Sequence, residues 1–321
     1  MSDHGPTLTR RTALQTLGAG LVAGTAVTGT AAADEGGWTV VETSTGNTLH
    51  GVAHTVDGVY AVGAGGVVIR RTDAGWETVL DGGPTGNGSS LYGAGVTDDR
   101  ERLWFVGSSG AIGEYDVTTG GLTDHSAPND VTNNFNDVAV RGPAGEANVY
   151  VAGDSGKIYS SFDNGETGTW DAITPGSGSN VNALDFFGER DGHSVDGNKT
   201  VFETDDGGVY EQIGIADADV NVYGVDSDGV DDVWVCGGGA TVFRWNGSSW
   251  RAADLGDASL RDIEVGAADA GGLTVGGGGT AFEFDGEAWR RLDTPTGQNL
   301  TAVVRGERDV AVGAGGTVIE R

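Results

Sequence analysis

One cysteine, Cys236, stands in 321 residues. With a single thiol the chain can close no internal disulfide and build no thiolate metal cluster. Cys236 sits in the apolar run Val233-Trp-Val-Cys, where a buried, inert thiol is expected. Lysine is almost missing as well: Lys157 and Lys199 are the only two. Lys and Arg together number 18 against 47 Asp and Glu, a formal charge of −29. No basic stripe exists to neutralise phosphates, so nucleic acid is excluded as a partner. Proline is scarce, at six, and the 59 glycines follow no Gly-X-Y period, which excludes collagen. After the N-terminal region no apolar run approaches the roughly 20 residues that cross a bilayer as a helix.

The acids are dispersed rather than gathered in a tail. Spread in this way they keep a surface solvated in high salt, as in proteins of extreme halophiles; the alternative is attraction for a basic partner or for cations. The N-terminus reads as an address. Thr9-Arg10-Arg11-Thr12 precedes a short apolar run from Leu17 to about Val27, then Ala31-Ala32-Ala33. This order of charge, apolar stretch and small residues is that of an export signal, and the paired arginines resemble the twin-arginine signal. We expect residues 1–33 to be a cleaved twin-arginine signal and 34–321 to be the working domain, outside the cytoplasm. A retained membrane anchor is the alternative.

That domain is repetitive. Trp38, Trp76, Trp170, Tyr210, Trp250 and Trp289 recur at intervals of 38, 94 (two units), 40, 40 and 39. Asp232 to Trp250 shows one unit most completely: a strand, a glycine turn, a strand, a polar turn and a Trp opening another strand. Each unit begins with a further strand, here strand a, in seven copies: Leu49-His-Gly-Val-Ala, Leu91-Tyr-Gly-Ala-Gly, Phe135-Asn-Asp-Val-Ala, Val181-Asn-Ala-Leu-Asp, Val222-Tyr-Gly-Val-Asp, Leu260-Arg-Asp-Ile-Glu and Leu300-Thr-Ala-Val-Val. Strand b is β-branched and aromatic and ends in Gly, as in Val59-Tyr-Ala-Val and Leu103-Trp-Phe-Val. In the fourth unit Gly192-His-Ser-Val-Asp-Gly197 matches strand b only weakly. Four strands per unit at this period predict blades of a β-propeller. The seventh unit stops at Arg321 without strand d, and Trp38-Thr-Val-Val-Glu-Thr43 supplies one at the other end of the chain. The fold expected is all-β: a seven-bladed propeller of four-stranded antiparallel blades, closed by an N-terminal strand that completes the last blade. A monomer is expected.

The polar turns carry a resemblance. Ser161-Phe-Asp163-Asn-Gly165-Glu-Thr-Gly-Thr-Trp170 resembles an Asp-box (BNR) repeat, with Trp two residues late, and Thr72-Asp73-Ala-Gly75-Trp76 and Thr204-Asp205-Asp-Gly207-Gly-Val-Tyr210 are partial copies. The Gly-x-x-Gly turns followed by a strand and an Asp-Gly turn look like the propellers of photosystem II stability and assembly factors. The resemblance spans about 38–321. It implies the fold and leaves function open, since such propellers include sialidases and assembly chaperones.

Catalytic constellations are poorly supported. The Arg-Ile-Pro motif expected early in a sialidase is absent, and the candidate inner-strand arginines are Arg141, Arg261 and Arg305. A glycosidase would need something like Tyr92 as nucleophile with Glu264 or Asp262 as base. The glycine turns lie between strands, so they are hairpins and not phosphate loops. His50 and His54 are four apart, which on a strand gives one face two side-chain repeats apart and suits polar residues near a channel better than a metal pair. Asp226, Asp228 and Asp231 are oxygen donors in what reads as a loop between strands a and b. They could hold Ca²⁺, but the twelve-residue EF-hand pattern is lacking and a solvated turn is the favoured reading; no cofactor is expected.

Binding is the better-supported class. The second residue of strand a differs from blade to blade: His50, Tyr92, Asn136, Asn182, Tyr223, Arg261 and Thr301. Antiparallel pairing puts these seven near the mouth of a central channel, beside the glycine turns. Variation on a repeating frame is how a binding face is built; tolerant surface positions drift in the same way. We expect a non-catalytic binding or assembly module for a protein or glycan. The competing classes are a propeller glycoside hydrolase or polysaccharide lyase, and a surface component without specific ligand.

Overall fold

The computed structural model describes residues 37–321 apart from 177, 216 and 217. The expected signal, 1–33, lies outside the described residues. The described chain forms seven four-stranded antiparallel sheets paired a-b-c-d, six of them in chain order. Successive innermost strands touch around a ring, and strand a of blade 7 (Leu300–Val304) returns to strand a of blade 1 (Leu49–Thr55). This is the seven-bladed propeller expected.

Closure is also as expected. Thr39–Val41 pairs antiparallel with Val318–Glu320, Thr39 opposite Glu320, and completes blade 7. Side chains lock the seam. Glu320, only 2% exposed, accepts from Trp76 Nε1 at 2.8 Å and from Arg71 Nε at 2.7 Å in blade 1, and from Arg308 Nη1 at 2.8 Å in its own blade. A buried carboxylate is tolerated when it is both paired with cations and hydrogen-bonded.

The core lies between blades. Leu49, Val59, Ile69 and Trp76 of blade 1 pack on Val310, Val312 and Val318 of blade 7, and the other joints repeat the pattern. Both faces of a blade are therefore covered, which is why strand b reads as an unbroken apolar run. The weak copy in blade 4 is a strand in register, Gly192–Asp196. It is hard to recognise because His193 and Ser194 are polar yet fully buried. His193 Nδ1 lies 2.7 Å from Ser227 Oγ of blade 5, so a hydrogen bond takes the place of apolar packing there.

One contact recurs in all seven blades and sets the channel face. The first backbone N–H after strand b donates to the carbonyl of the polar residue just before strand a, as in Ser108 to Ser90 at 2.8 Å and Ala314 to Asn299 at 2.9 Å. This close approach explains the glycine that ends strand b. A Cβ at Gly313 would sit 2.1 Å from the Asn299 carbonyl oxygen. In the following turn Gly316 has φ +73° and its Cβ would meet the Thr45 carbonyl at 2.1 Å, so only glycine fits.

Candidate functional site

The innermost strands surround a channel of about 600 Å³. All seven second residues of strand a line it. They are also stitched to one another. Asn136 Nδ2 donates to the Val181 carbonyl at 2.9 Å, Asn182 Nδ2 to the Val222 carbonyl at 2.7 Å, and Thr301 Oγ1 to the Leu49 carbonyl at 2.6 Å. In each case the acceptor is the first residue of the next blade's strand a. His50 meets Tyr92 edge-on, ring centroids 5.3 Å apart. The Arg261 guanidinium lies 4.3 Å from the Tyr223 ring centroid, a cation–π contact. The asparagines and Thr301 thus help join blades. His50 touches Tyr92 and Arg261 touches Tyr223, and these two separate pairs carry the aromatic and basic character of the mouth. Burial lowers the His50 pKa, which favours the neutral ring.

Deeper in the channel lies a group that the second-position ring does not include. Position five of strand a is Ala53, Gly95 and Ala139 in blades 1 to 3, but Asp185, Asp226 and Glu264 in blades 4 to 6. Asp137 and Asp262 add carboxyls from position three. The signal was present in the aligned copies: three acids at one position in three consecutive blades. The stretch around Asp226 also differs from its sequence reading. Strand a of blade 5 runs Val222–Gly229, so Asp226 and Asp228 are strand residues and not loop residues. Their side chains line the channel, whereas Asp231 lies in the turn beyond, beside Gly247. Among the described residues no group of three or more His, Cys, Asp or Glu side chains is placed to hold a metal ion.

These carboxyls bridge blades through backbone amides. Asp137 accepts from Val138 N at 2.9 Å and from Leu184 N of blade 4 at 3.1 Å. Asp185 accepts from Phe186 N and from Ser227 N of blade 5, both at 2.8 Å. Asp262 accepts from Ile263 N at 2.9 Å and from Val303 N of blade 7 at 2.8 Å. Burial outweighs these amides. It pushes the Asp137 carboxyl up to about 7 and Asp262 to about 6. Asp226 and Glu264 are raised too, first by burial and then by neighbouring carboxylates, including Glu264 beside Asp226 and Asp262 beside Glu264. The Asp226 carboxyl faces the Val265 amide, and its Oδ2, shut off from the surface, has no hydrogen-bond partner.

Two of the channel arginines already have partners. Arg305 Nη1 donates to the Gly271 carbonyl at 2.5 Å. Arg141 lies 3.7 Å from Asp98 and 4.0 Å from Asp185. The serine and histidine at the blade 4–5 joint do not form a catalytic pair. Ser227 is 2% exposed and His193 wholly buried, so no substrate reaches them. Burial lowers the His193 pKa to about 4. Of the two acids that the sequence reading offered beside Tyr92, Glu264 or Asp262, Asp262 accepts one backbone amide on each oxygen.

No protein-family model matches the sequence, and no curated protein does. Solved structures do match. A virginiamycin B lyase from Staphylococcus aureus is 12% identical with a TM-score of 0.74, covering 88% of this chain and 97% of that one. YCF48 bound to D1 peptide is 14% identical with a TM-score of 0.69, covering 90% and 96%. The WD40 propeller domain of Doa1 is 13% identical with a TM-score of 0.70, covering 88% and 94%. At these identities the likeness is one of fold. No helix among the described residues is long and apolar enough to cross a membrane.

Proposed function

We propose that this chain is an exported, non-catalytic binding or assembly module whose channel mouth contacts a protein partner. The observation that carries this reading is the mouth itself. Seven equivalent positions hold five kinds of side chain on an otherwise repeating frame, with Arg261 against Tyr223 on one part of the rim and Tyr92 against His50 on another. Tyr and Arg are the residues that most often anchor protein interfaces. Similarity to the propeller of YCF48 bound to D1 peptide supports a protein partner over a glycan. The paired arginines at Arg10 and Arg11 support twin-arginine export. The dispersed acids support a high-salt setting, and the melting temperature should rise steadily as KCl is raised.

The test is a pull-down from the cell envelope with the full chain and with a Tyr92→Ala/Tyr223→Ala/Arg261→Ala variant. A reproducible partner lost with the three substitutions is expected. Recovery of nothing reproducible would instead favour a surface component without a specific ligand.

A second reading has one observation behind it: Glu264, a carboxyl in the channel held above its ordinary pKa, as a general acid would be. A propeller hydrolase or lyase acting on polysaccharide would then turn over aryl glycosides or polysaccharides in high salt, and Glu264→Gln would abolish the activity. Absence of turnover across such a panel removes this reading.

A further inference from the structure

The channel wall of blades 5 and 6 gathers carboxyls that have few partners in the chain: Arg305 acts on Glu264, and Arg141 on Asp185 and Asp228, but no cation pairs with Asp226 in the structure. Asp226 Oδ2 is buried and unpartnered. The groups acting on the Asp226 carboxyl are Glu264, Asp185 and Asp228, all negative, and one backbone amide. Asp262 sits beside Glu264. Arg305 is the cation acting on Glu264, and its Nη1 is bound to the Gly271 carbonyl. The same protein shows at Glu320 how it pairs a buried carboxylate when stability is the purpose: two arginines and an indole N–H. Leaving an oxygen of Asp226 bare is costly in a protein interior, and such deficits concentrate where a ligand completes the site.

Building on the binding-module reading, we propose that the Asp226 and Glu264 carboxyls receive one basic side chain, a guanidinium or ammonium, from the protein partner docked at the channel mouth. A monocation with several N–H donors suits this wall. It satisfies the bare oxygen directionally and needs no ring of ligands, consistent with the lack of a metal-holding group among the described residues. Tyr223, its face already under the Arg261 guanidinium, stands on the same strand as Asp226, three residues nearer the mouth. The long, thin stem of Arg or Lys can lie along such a wall while its charge reaches inward.

The test is isothermal titration of the full chain with acetyl-Gly-Arg-Gly-amide, its lysine counterpart, and the citrulline peptide, which keeps the shape and loses the charge. The basic peptides should bind saturably and the citrulline peptide on the order of 10-fold more weakly or not at all. Asp226→Asn and Glu264→Gln should each weaken binding by a similar factor while the near-ultraviolet circular dichroism stays that of the parent. Equal binding of the citrulline peptide, undiminished binding by both variants, or no saturable binding at all overturns the proposal. Free arginine or spermidine binding as tightly as the peptides would overturn the protein as source. If the pull-down recovers a partner and both variants still capture it, the binding-module reading stands and this inference fails.

Discussion

Two buried carboxylate sites in one ring solve the same problem in opposite ways. At the seam between blades 7 and 1, Glu320 is matched by Arg71, Arg308 and the Trp76 indole. In the channel at blades 3 to 6, five carboxyls gather; Asp137, Asp185 and Asp262 lean on backbone amides, and Asp226 Oδ2 is left bare. The seam is where the chain's two ends meet, and it can open only if the ring opens. The channel wall joins blades that are consecutive in sequence, so its acids are not needed for closure. Stability is concentrated at the seam and forgone in the channel, the trade that the proposed binding role would require.

The sharpest way to break this comparison is at the seam. Glu320→Ala leaves two arginines and a buried indole N–H without their partner. It should cost about 3–5 kcal/mol in guanidinium denaturation; a loss within error of zero would mean the seam is not held by charge.

Next comes pH. The folded pKa of Asp137 is raised to about 7 and that of Glu264 is raised as well. Between the unfolded and folded values the folded state holds protons that the unfolded state has released, so stability falls as pH rises through the folded values. The buried histidines His50, His54 and His193 are shifted down. Their contribution has the opposite sign and is complete once pH passes the ordinary histidine value. Above about pH 6.5 the acids act alone, and stability should fall by about 1–3 kcal/mol on going to pH 8, read from denaturation midpoints at fixed salt. A flat profile would show that the channel acids are not strained.

A smaller effect separates strain from packing. Asp226→Asn removes from a crowded site a carboxyl whose charged form burial and acidic neighbours disfavour, keeps the shape, and in alkaline solution should raise stability by about 1 kcal/mol. A loss of that size would place Asp226 with Glu320 as a structural residue. Smallest is Asn182→Ala, which deletes the bridge to the Val222 carbonyl and should cost about 1 kcal/mol without affecting capture of a partner. Loss of capture would show that the asparagines bind as well as join.

Much of the frame was legible from residues because each feature has a local cause that repeats. The Gly that ends strand b answers one close carbonyl, the paired turn residues answer left-handed backbone, and the lone strand at Trp38 answers a missing partner at Arg321. The second positions of strand a were placed at the channel for the same reason. What they do there was not legible: Asn136, Asn182 and Thr301 reach carbonyls of the next blade, and such contacts depend on blade-to-blade distance that no single copy encodes. Asp226 was read as a loop residue because Asp-Ser-Asp-Gly has turn composition, yet pairing with Trp234 carries strand a through it. The acids at position five were in view in the aligned copies. Their crowding was not, because it arises only when the ring brings three neighbouring blades to a common axis.

The most direct test of the contrast is guanidinium denaturation of Glu320→Gln and Glu264→Gln side by side at pH 8. Both changes keep the shape nearly constant; Glu264, raised to about 8 by burial and its acidic neighbours, is about half ionised at this pH. The account predicts opposite signs: Glu320→Gln loses stability because its arginines are left unmatched, and Glu264→Gln gains because its neighbours are acids. Loss of stability in both variants, to a similar extent, would contradict it.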